Sequence, residues 1–485
     1  SAGYYAQMNG FKTTIFESNK IPGGLCAAWK RKGYKFDISM HMLTGSLSGP
    51  LHRMWEELGI PQNFKFHYHN NALQIEGMGK TLSFTNDREK MEKEMLAISP
   101  EDAPLIREYL NLIFGRDLMN AASLKPYELQ NVFDKLKTVP FILPIIPKFI
   151  KYKSTTIQDF ASRFKHPFLR EAVRFFIDAP GWPMPKFPLA IMTGFMKSGV
   201  TEAGTPLGGS QKVALHIAKM FKKLGGEINY ERMVADLIIE NETVKGIVLE
   251  DGSGKRADFV IWAGDGHSLI FDILGRKYMD KKIKNMYAKW IPVRPVLHVM
   301  IGVHRDLSEE PHQIIFQPDE PVTIAGEEHK WLTVIHHCFD KTMAPTGKSA
   351  VEVWYDTDYA YWEALSKHKE EYNAEKQRIA DYTIAQLDKR WPGFSTQVEV
   401  VDVPTPATYN RFTGNWQGSP DGWYITSENW RDIQPKRTLP GLKGLYMVGQ
   451  WTAPFTGTVI AALSGRQMVQ IMCKKEGIKF TVTTD

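Results

Sequence analysis

Phe11-Lys12-Thr13-Thr14-Ile15-Phe16-Glu17, preceded by Ala2 to Met8 and the pair Asn9-Gly10, is the most informative stretch of this 485-residue chain. Ala2 to Met8 has helical composition, and Asn9-Gly10 is a stop of the C-cap type. The β-branched and aromatic residues that follow read as a strand, with the acid Glu17 at its carboxyl end. Helix, glycine, strand and acid make the second half of a dinucleotide-binding βαβ unit, in which the acid accepts hydrogen bonds from a ribose hydroxyl. An ordinary surface carboxylate at a strand end would look the same. No GxGxxG occurs in the chain, and a helix cannot open a parallel sheet. The sequence is therefore expected to be truncated at its N-terminus, before the end of the glycine-rich loop.

Moving outward, Pro22-Gly23-Gly24 places two permissive glycines a few residues past the acid, where a backbone can run close against a phosphate or sugar. Gly33-Tyr34-Lys35-Phe36-Asp37 follows as a second strand. An acid, a Gly-Gly turn and a GYxFD strand in this spacing resemble the FAD-binding N-terminus of the phytoene desaturase, carotenoid isomerase and retinol saturase family. That resemblance implies an α/β fold with an FAD-binding, three-layer Rossmann-type domain built from discontinuous segments, and an inserted mixed α+β substrate domain.

Two further blocks carry it. Gly208-Gly209-Ser210 precedes an amphipathic helix that stops at Gly225-Gly226, and strands follow at 227–230, 233–239 and 245–249. The resemblance implies that the backbone around Val234 meets the adenine. Near the C-terminus, Gly444-Leu445-Tyr446-Met447-Val448-Gly449 is a strand ending in glycine, and Thr456-Gly457-Thr458-Val459-Ile460 opens a helix with free N–H groups and partial positive charge. By resemblance, Gly449, Gly457, Thr458 and Val459 approach the pyrophosphate and flavin edge. Gln450 would contact the ribityl chain or pyrophosphate, at a position where several relatives carry small or acidic residues. The implied FAD-binding domain comprises 1–69, 190–267 and 441–485, and the substrate domain 70–189 and 268–440. Ala344-Pro345-Thr346-Gly347 and the run Thr405 to Asn415 also resemble family signatures.

The remaining features bound the function. A hydrophobic fraction of 43% with 24% charged residues excludes disorder, and a net charge of +6 over this length gives no nucleic-acid signature. Cys26, Cys338 and Cys473 form no CxxC pair, so a reducing, cytoplasmic setting is the default. His336-His337-Cys338 is not a metal site on this reading, because adjacent strand residues face opposite ways. His41, four residues past Asp37, is the catalytic candidate, for protonation or substrate polarisation. Flavin chemistry asks little else of acid–base side chains. The expected activity is FAD-dependent desaturation, saturation or isomerisation of carbon–carbon bonds in an apolar polyunsaturated isoprenoid or lipid, with hydride exchanged at flavin N5. A flavin amine oxidase-like enzyme and a non-catalytic prenyl-lipid escort are the alternatives. Val139 to Pro147, apolar, broken by three prolines and flanked by lysines across 135–153, reads either as a segment lying on an anionic membrane, at its inner face, or as a buried crossover.

Overall fold

A computed structural model describes residues 1–39, 42–115, 122–192, 202–430, 437–453 and 457–482. The expected N-terminal elements are present: the helix Ala2–Met8 leads to the strand Thr14–Glu17. That strand pairs in parallel with Glu227–Tyr230, in the register Glu17↔Tyr230. Glu227–Tyr230 follows the helix Gly209–Lys223, so the crossover from the first block to the second is helical. A second parallel pair joins Val260–Trp262 to Leu445–Met447, and the C-terminal helix Gly457–Lys475 packs against Ala2–Met8. The approach is close enough that a Cβ on Gly465 would fall 2.7 Å from the backbone nitrogen of Ala2. Val234–Glu240, Thr243–Leu249 and Gly254–Arg256 form a small antiparallel sheet beside these pairs.

The largest sheet has seven strands, ordered Val398–Asp402, Val296–Val303, Ser349–Asp356, Leu332–His336, Gln313–Phe316, Asn71–Gly77 and Lys80–Thr85. All neighbours are antiparallel except Gln313–Phe316 with Asn71–Gly77. Its central strands, Val-Leu-His-Val-Met-Ile-Gly-Val and Ser-Ala-Val-Glu-Val-Trp-Tyr-Asp, are buried along their whole length, which is why they read as nearly continuous apolar runs. Leu297, Val299, Ile301 and Val303 face one way, into a core capped by the long helix Lys369–Arg390 through Ile379, Ala380 and Leu387. His298, Met300 and Gly302 face the other way, because successive side chains alternate.

That second face meets the GYxFD motif. Tyr34 and Phe36 are buried against Met300, Met343 and Ala350, and a Cβ on Gly302 would stand 2.6 Å from the Tyr34 ring. Asp37 ends the same strand and accepts from Ser210 N at 2.7 Å and Ser210 Oγ at 2.6 Å, capping the helix Gly209–Lys223. The motif thus ties the large sheet to the second block. The segment around Val139 differs from the crossover reading: the helix Val132–Ile142 buries none of its residues, and of 139–147 only Ile145 is buried.

Candidate functional site

In open α/β sheets, ligands gather outside the carboxyl ends of the parallel strands. Here those ends are Glu17, Tyr230, the turn after Trp262 and the turn after Met447. Glu17 accepts from the backbone N–H of Asn19 at 2.9 Å and from its side chain at 3.1 Å, both at Oε1. Its second oxygen takes no part in those bonds. Arg232 N donates to the Glu17 carbonyl at 2.9 Å, which brings the chain leading into Val234 beside the acid. Asn19 Nδ2 donates to Phe412 O at 2.8 Å, so the Thr405 to Asn415 run also reaches this end.

Gly23 and Gly24 both have positive φ, 116° and 59°. Their reasons differ. A Cβ on Gly23 would lie 2.7 Å from the Cβ of Ala214, so this glycine lets the loop press onto the helix Gly209–Lys223, whereas Gly24 faces open space. Two residues on, the Cys26 thiol stands 3.7 Å from both Ser39 Oγ and Thr458 Oγ1. The Gly-Gly loop, the chain after GYxFD and the start of the C-terminal helix therefore converge on one sulfur. Burial pushes that thiol up from its ordinary pKa. His41 lies outside the described residues.

At the other strand ends, Gly449 at φ 95° donates its N–H to Ser464 Oγ at 2.8 Å, and Gly457 donates to Asp421 Oδ1 at 2.6 Å. Val459 packs toward the Tyr5 and Trp55 core. Asp421 thus sits at the positive end of the C-terminal helix, a role not apparent in the sequence. Asp265, buried in the turn after Trp262, accepts from Ser268 N at 2.7 Å and Trp416 N at 2.9 Å, and burial lifts its pKa above the usual carboxylate range. Around this turn, four buried donors lack a partner: Gln450 Nε2, Tyr287 Oη, Trp423 Nε1 and Trp451 Nε1. Their rings interlock, with centroids 5.2 Å apart for Tyr287–Trp423 and for Trp423–Trp451. Unmet donors here, with an acceptor carboxylate at Glu17 and open space at Gly24, suit a group that is rich in acceptor oxygens at one part and presents ribose hydroxyls at another.

The sheet face turned toward Tyr34 and Phe36 carries two buried polar pairs among apolar neighbours. His298 Nδ1 and Tyr409 Oη are 2.5 Å apart, and Trp354 meets the His298 ring edge-to-face at 5.7 Å. Burial, and the charges of Glu352 and Asp402, keep the Tyr409 phenol protonated far above its ordinary range. His337 Nε2 lies 3.0 Å from Glu352 Oε1. Burial alone would lower the His337 pKa, but the hydrogen bond and charge of Glu352, with Asp37 and Asp340, outweigh it and raise it. The neighbouring His336 turns elsewhere, its Nε2 3.1 Å from Glu310 O. These pairs escaped the sequence reading although their signal was visible: Glu352 and His298 are polar residues inside otherwise apolar strands.

Comparison with known proteins gives these features a context. The model of the family described as flavin containing amine oxidoreductase matches residues 1–473. A chloroplastic prolycopene isomerase of Daucus carota is 24% identical, over 96% of this chain and 76% of its own. A lycopene-forming phytoene desaturase of Paracoccus sp. is 23% identical, over 96% and 93%. Among solved structures, an oxidoreductase from Methanosarcina mazei superposes with TM-score 0.61 at 14% identity, covering 97% of this chain and 96% of its own. Cyclohexylamine oxidase from Brevibacterium oxydans gives 0.61 at 11%, covering 98% and 96%. At such identities the structures speak for the fold alone, and that fold is the flavin-binding α/β type expected from the sequence.

Proposed function

The chain belongs to the flavin containing amine oxidoreductase family and is an FAD-dependent oxidoreductase; from that premise we propose that it acts on carbon–carbon bonds of an apolar polyunsaturated isoprenoid or lipid. The observation that carries this reading is similarity along nearly the whole chain to relatives named phytoene desaturase and prolycopene isomerase. Bound FAD supplies a hydride acceptor or donor at N5. In this reading, Glu17 takes a ribose hydroxyl, the backbone at Gly23 and Gly24 runs beside the cofactor, and the chain at Val234 lies on the adenine side. Gly449, Gln450, Gly457, Thr458 and Val459 border the pyrophosphate and flavin edge. The segments 1–69, 190–267 and 441–485 form the cofactor half, and 70–189 with 268–440 the substrate half.

Desaturation removes a hydride from one carbon and a proton from its neighbour, and saturation reverses both. The His337–Glu352 pair is suited to hold that proton, because Glu352 stabilises the imidazolium and a neutral imidazole can take the proton back. Tyr409 holds His298 by its ring nitrogen and so fixes the orientation of that imidazole.

The test is anaerobic mixing of the flavin-loaded protein with phytoene or prolycopene in detergent micelles, with flavin absorbance and chromatographic product analysis as readouts. Flavin bleaching, or isomerised product after flavin reduction, is the expected result. Flavin bleaching by primary amines, with peroxide released once air is admitted, and no change in the polyenes, would replace this reading by an amine oxidase. A colourless protein that binds prenyl chains would replace it by an escort.

A further inference from the structure

More than half of the large apolar side chains exposed among the described residues fall between Tyr127 and Ile150. The helix Val132–Ile142 leaves Val132 70% and Phe133 74% exposed, with Leu136, Val139, Phe141 and Ile142 beside them. A helix this apolar normally hides one face, and this one hides none. It is nonetheless well formed. Asn131 and Asp134 close a capping box at its start, and Lys125 holds Asp134 at 2.6 Å. The following helix, Ile146–Tyr152, is moored to the body: Lys151 meets Glu108 at 3.0 Å, Lys148 donates to Leu112 O at 3.1 Å, and the Phe149 and Trp430 rings lie 5.8 Å apart. The first helix therefore stands outward on a fixed base.

We propose that the 127–153 segment docks on the surface of an anionic lipid bilayer. Length excludes a span: 11 residues at ~1.5 Å each give about 16 Å, half of a hydrocarbon core of about 30 Å. Pro140, Pro144 and Pro147 keep the helical pieces short, and among the described residues no helix is long and apolar enough to cross a membrane. Between 131 and 154 Lys151 is paired with Glu108 and Lys148 is turned to Leu112 O, which leaves Lys135, Lys137 and Lys153 to face headgroups against one acid, Asp134, already paired with Lys125. Apolar side chains ringed by lysines match an acyl layer under anionic headgroups. A second copy of the chain fits less well, since a two-fold contact would bring this positive ring against itself. The inference deepens the proposed substrate reading, because an apolar polyene resides in such a layer, but it is tested without any substrate.

The experiment is sedimentation of the flavin-loaded full-length protein with vesicles of phosphatidylcholine alone, and of phosphatidylcholine mixed equally with phosphatidylserine, at low and high salt. Binding to the mixed vesicles is expected to exceed binding to the neutral ones, and to fall roughly tenfold with salt without vanishing. Phe133→Ser with Phe141→Ser should remove the salt-resistant fraction. Lys137→Gln with Lys153→Gln should remove the salt-sensitive one. Both pairs project outward, so thermal midpoint and flavin content should stay at the parent values. Absence of vesicle binding by the parent overturns the proposal, as does binding that neither pair alters. A concentration-dependent dimer that the serine pair dissociates without vesicles would make a second copy the occupant. Polyene turnover in micelles is scored separately, so loss of either reading leaves the other standing.

Discussion

Two adjacent glycines and one acid separate the proposed cofactor contacts from packing. Gly23→Ala places a Cβ 2.7 Å from that of Ala214 at a φ of 116°, while Gly24→Ala at φ 59° meets open space. The first should destabilise the fold by about 2 kcal/mol or more, through overpacking plus backbone strain, and the second by only about 1 kcal/mol. Urea unfolding of the two variants checks the order, and equal losses would mean that the Gly23 contact relaxes freely. Flavin affinity should respond more to Gly24→Ala than its small stability loss accounts for. Glu17→Ala should weaken FAD by the worth of hydrogen bonds to a charged acceptor, about 1.5–3 kcal/mol or roughly ten- to a hundredfold in Kd. Fluorescence titration of the apoprotein measures it, and an unchanged Kd returns Glu17 to an ordinary strand-end carboxylate.

At the scale of elements, the hairpin Ala28–Arg31 with Tyr34–Asp37 is the joint between the large sheet and the helix Gly209–Lys223. Gly302 makes that joint possible, since a Cβ there would stand 2.6 Å from both the Tyr34 ring and Val400 Cγ1. Gly302→Ala should therefore cost about 1–3 kcal/mol of stability, the usual range for overpacking a filled core. Thermal unfolding of the variant, beside a control Gly326→Ala, shows whether the loss is specific. Gly326, unlike Gly302, has positive φ, and it has open space around it, so the control carries backbone strain without overpacking. The sequence carried the elements on either side of this joint well, because each has a local cause: a β-branched run, an Asn-Gly stop, a Gly-Gly stop. It did not carry the joint itself. Gly302 sits unmarked in Met300-Ile301-Gly302-Val303, and only contact with Tyr34, more than 260 positions away, explains it. His298–Tyr409 and Cys26–Thr458 are likewise pairs of distant residues, whose meeting no spacing records. Asp421, at the start of the C-terminal helix, is 36 positions from the N–H it caps.

Across the whole molecule, the histidines set how stability depends on pH. His69, His312 and His336 lie together where the 67–69 chain meets the large sheet, with the His69 and His312 rings stacked at 4.0 Å and His312 Nδ1 donating to His336 O. Burial first, and repulsion between the rings second, lower His69 to about 3 and hold His312 well below its ordinary value. Burial, resisted by the Glu310 carbonyl, lowers His336 to about 4. Unfolding returns each to about 6.5, so between that pH and 4 the unfolded chain binds more protons and stability falls as pH falls. From pH 6.5 to 5, each should cost up to about 2 kcal/mol. His337 works in the opposite direction. Its folded pKa is raised by Glu352 against the pull of burial, so its contribution is complete below about 6.5 and is lost as pH climbs through the higher folded value. Stability is therefore expected to peak near pH 6.5, with the steep limb on the acid side. His69→Phe keeps the stack on His312 and removes one titrating ring, so urea midpoints at pH 5, 6 and 7 should show an acid limb shallower by about one proton. His337→Gln should flatten the alkaline limb and leave the acid one. An acid limb of unchanged slope in His69→Phe would mean that His69 stays neutral in the unfolded chain as well, or that the folded ring takes a proton its neighbours should refuse. Titrating His69 by NMR in the folded protein distinguishes the two.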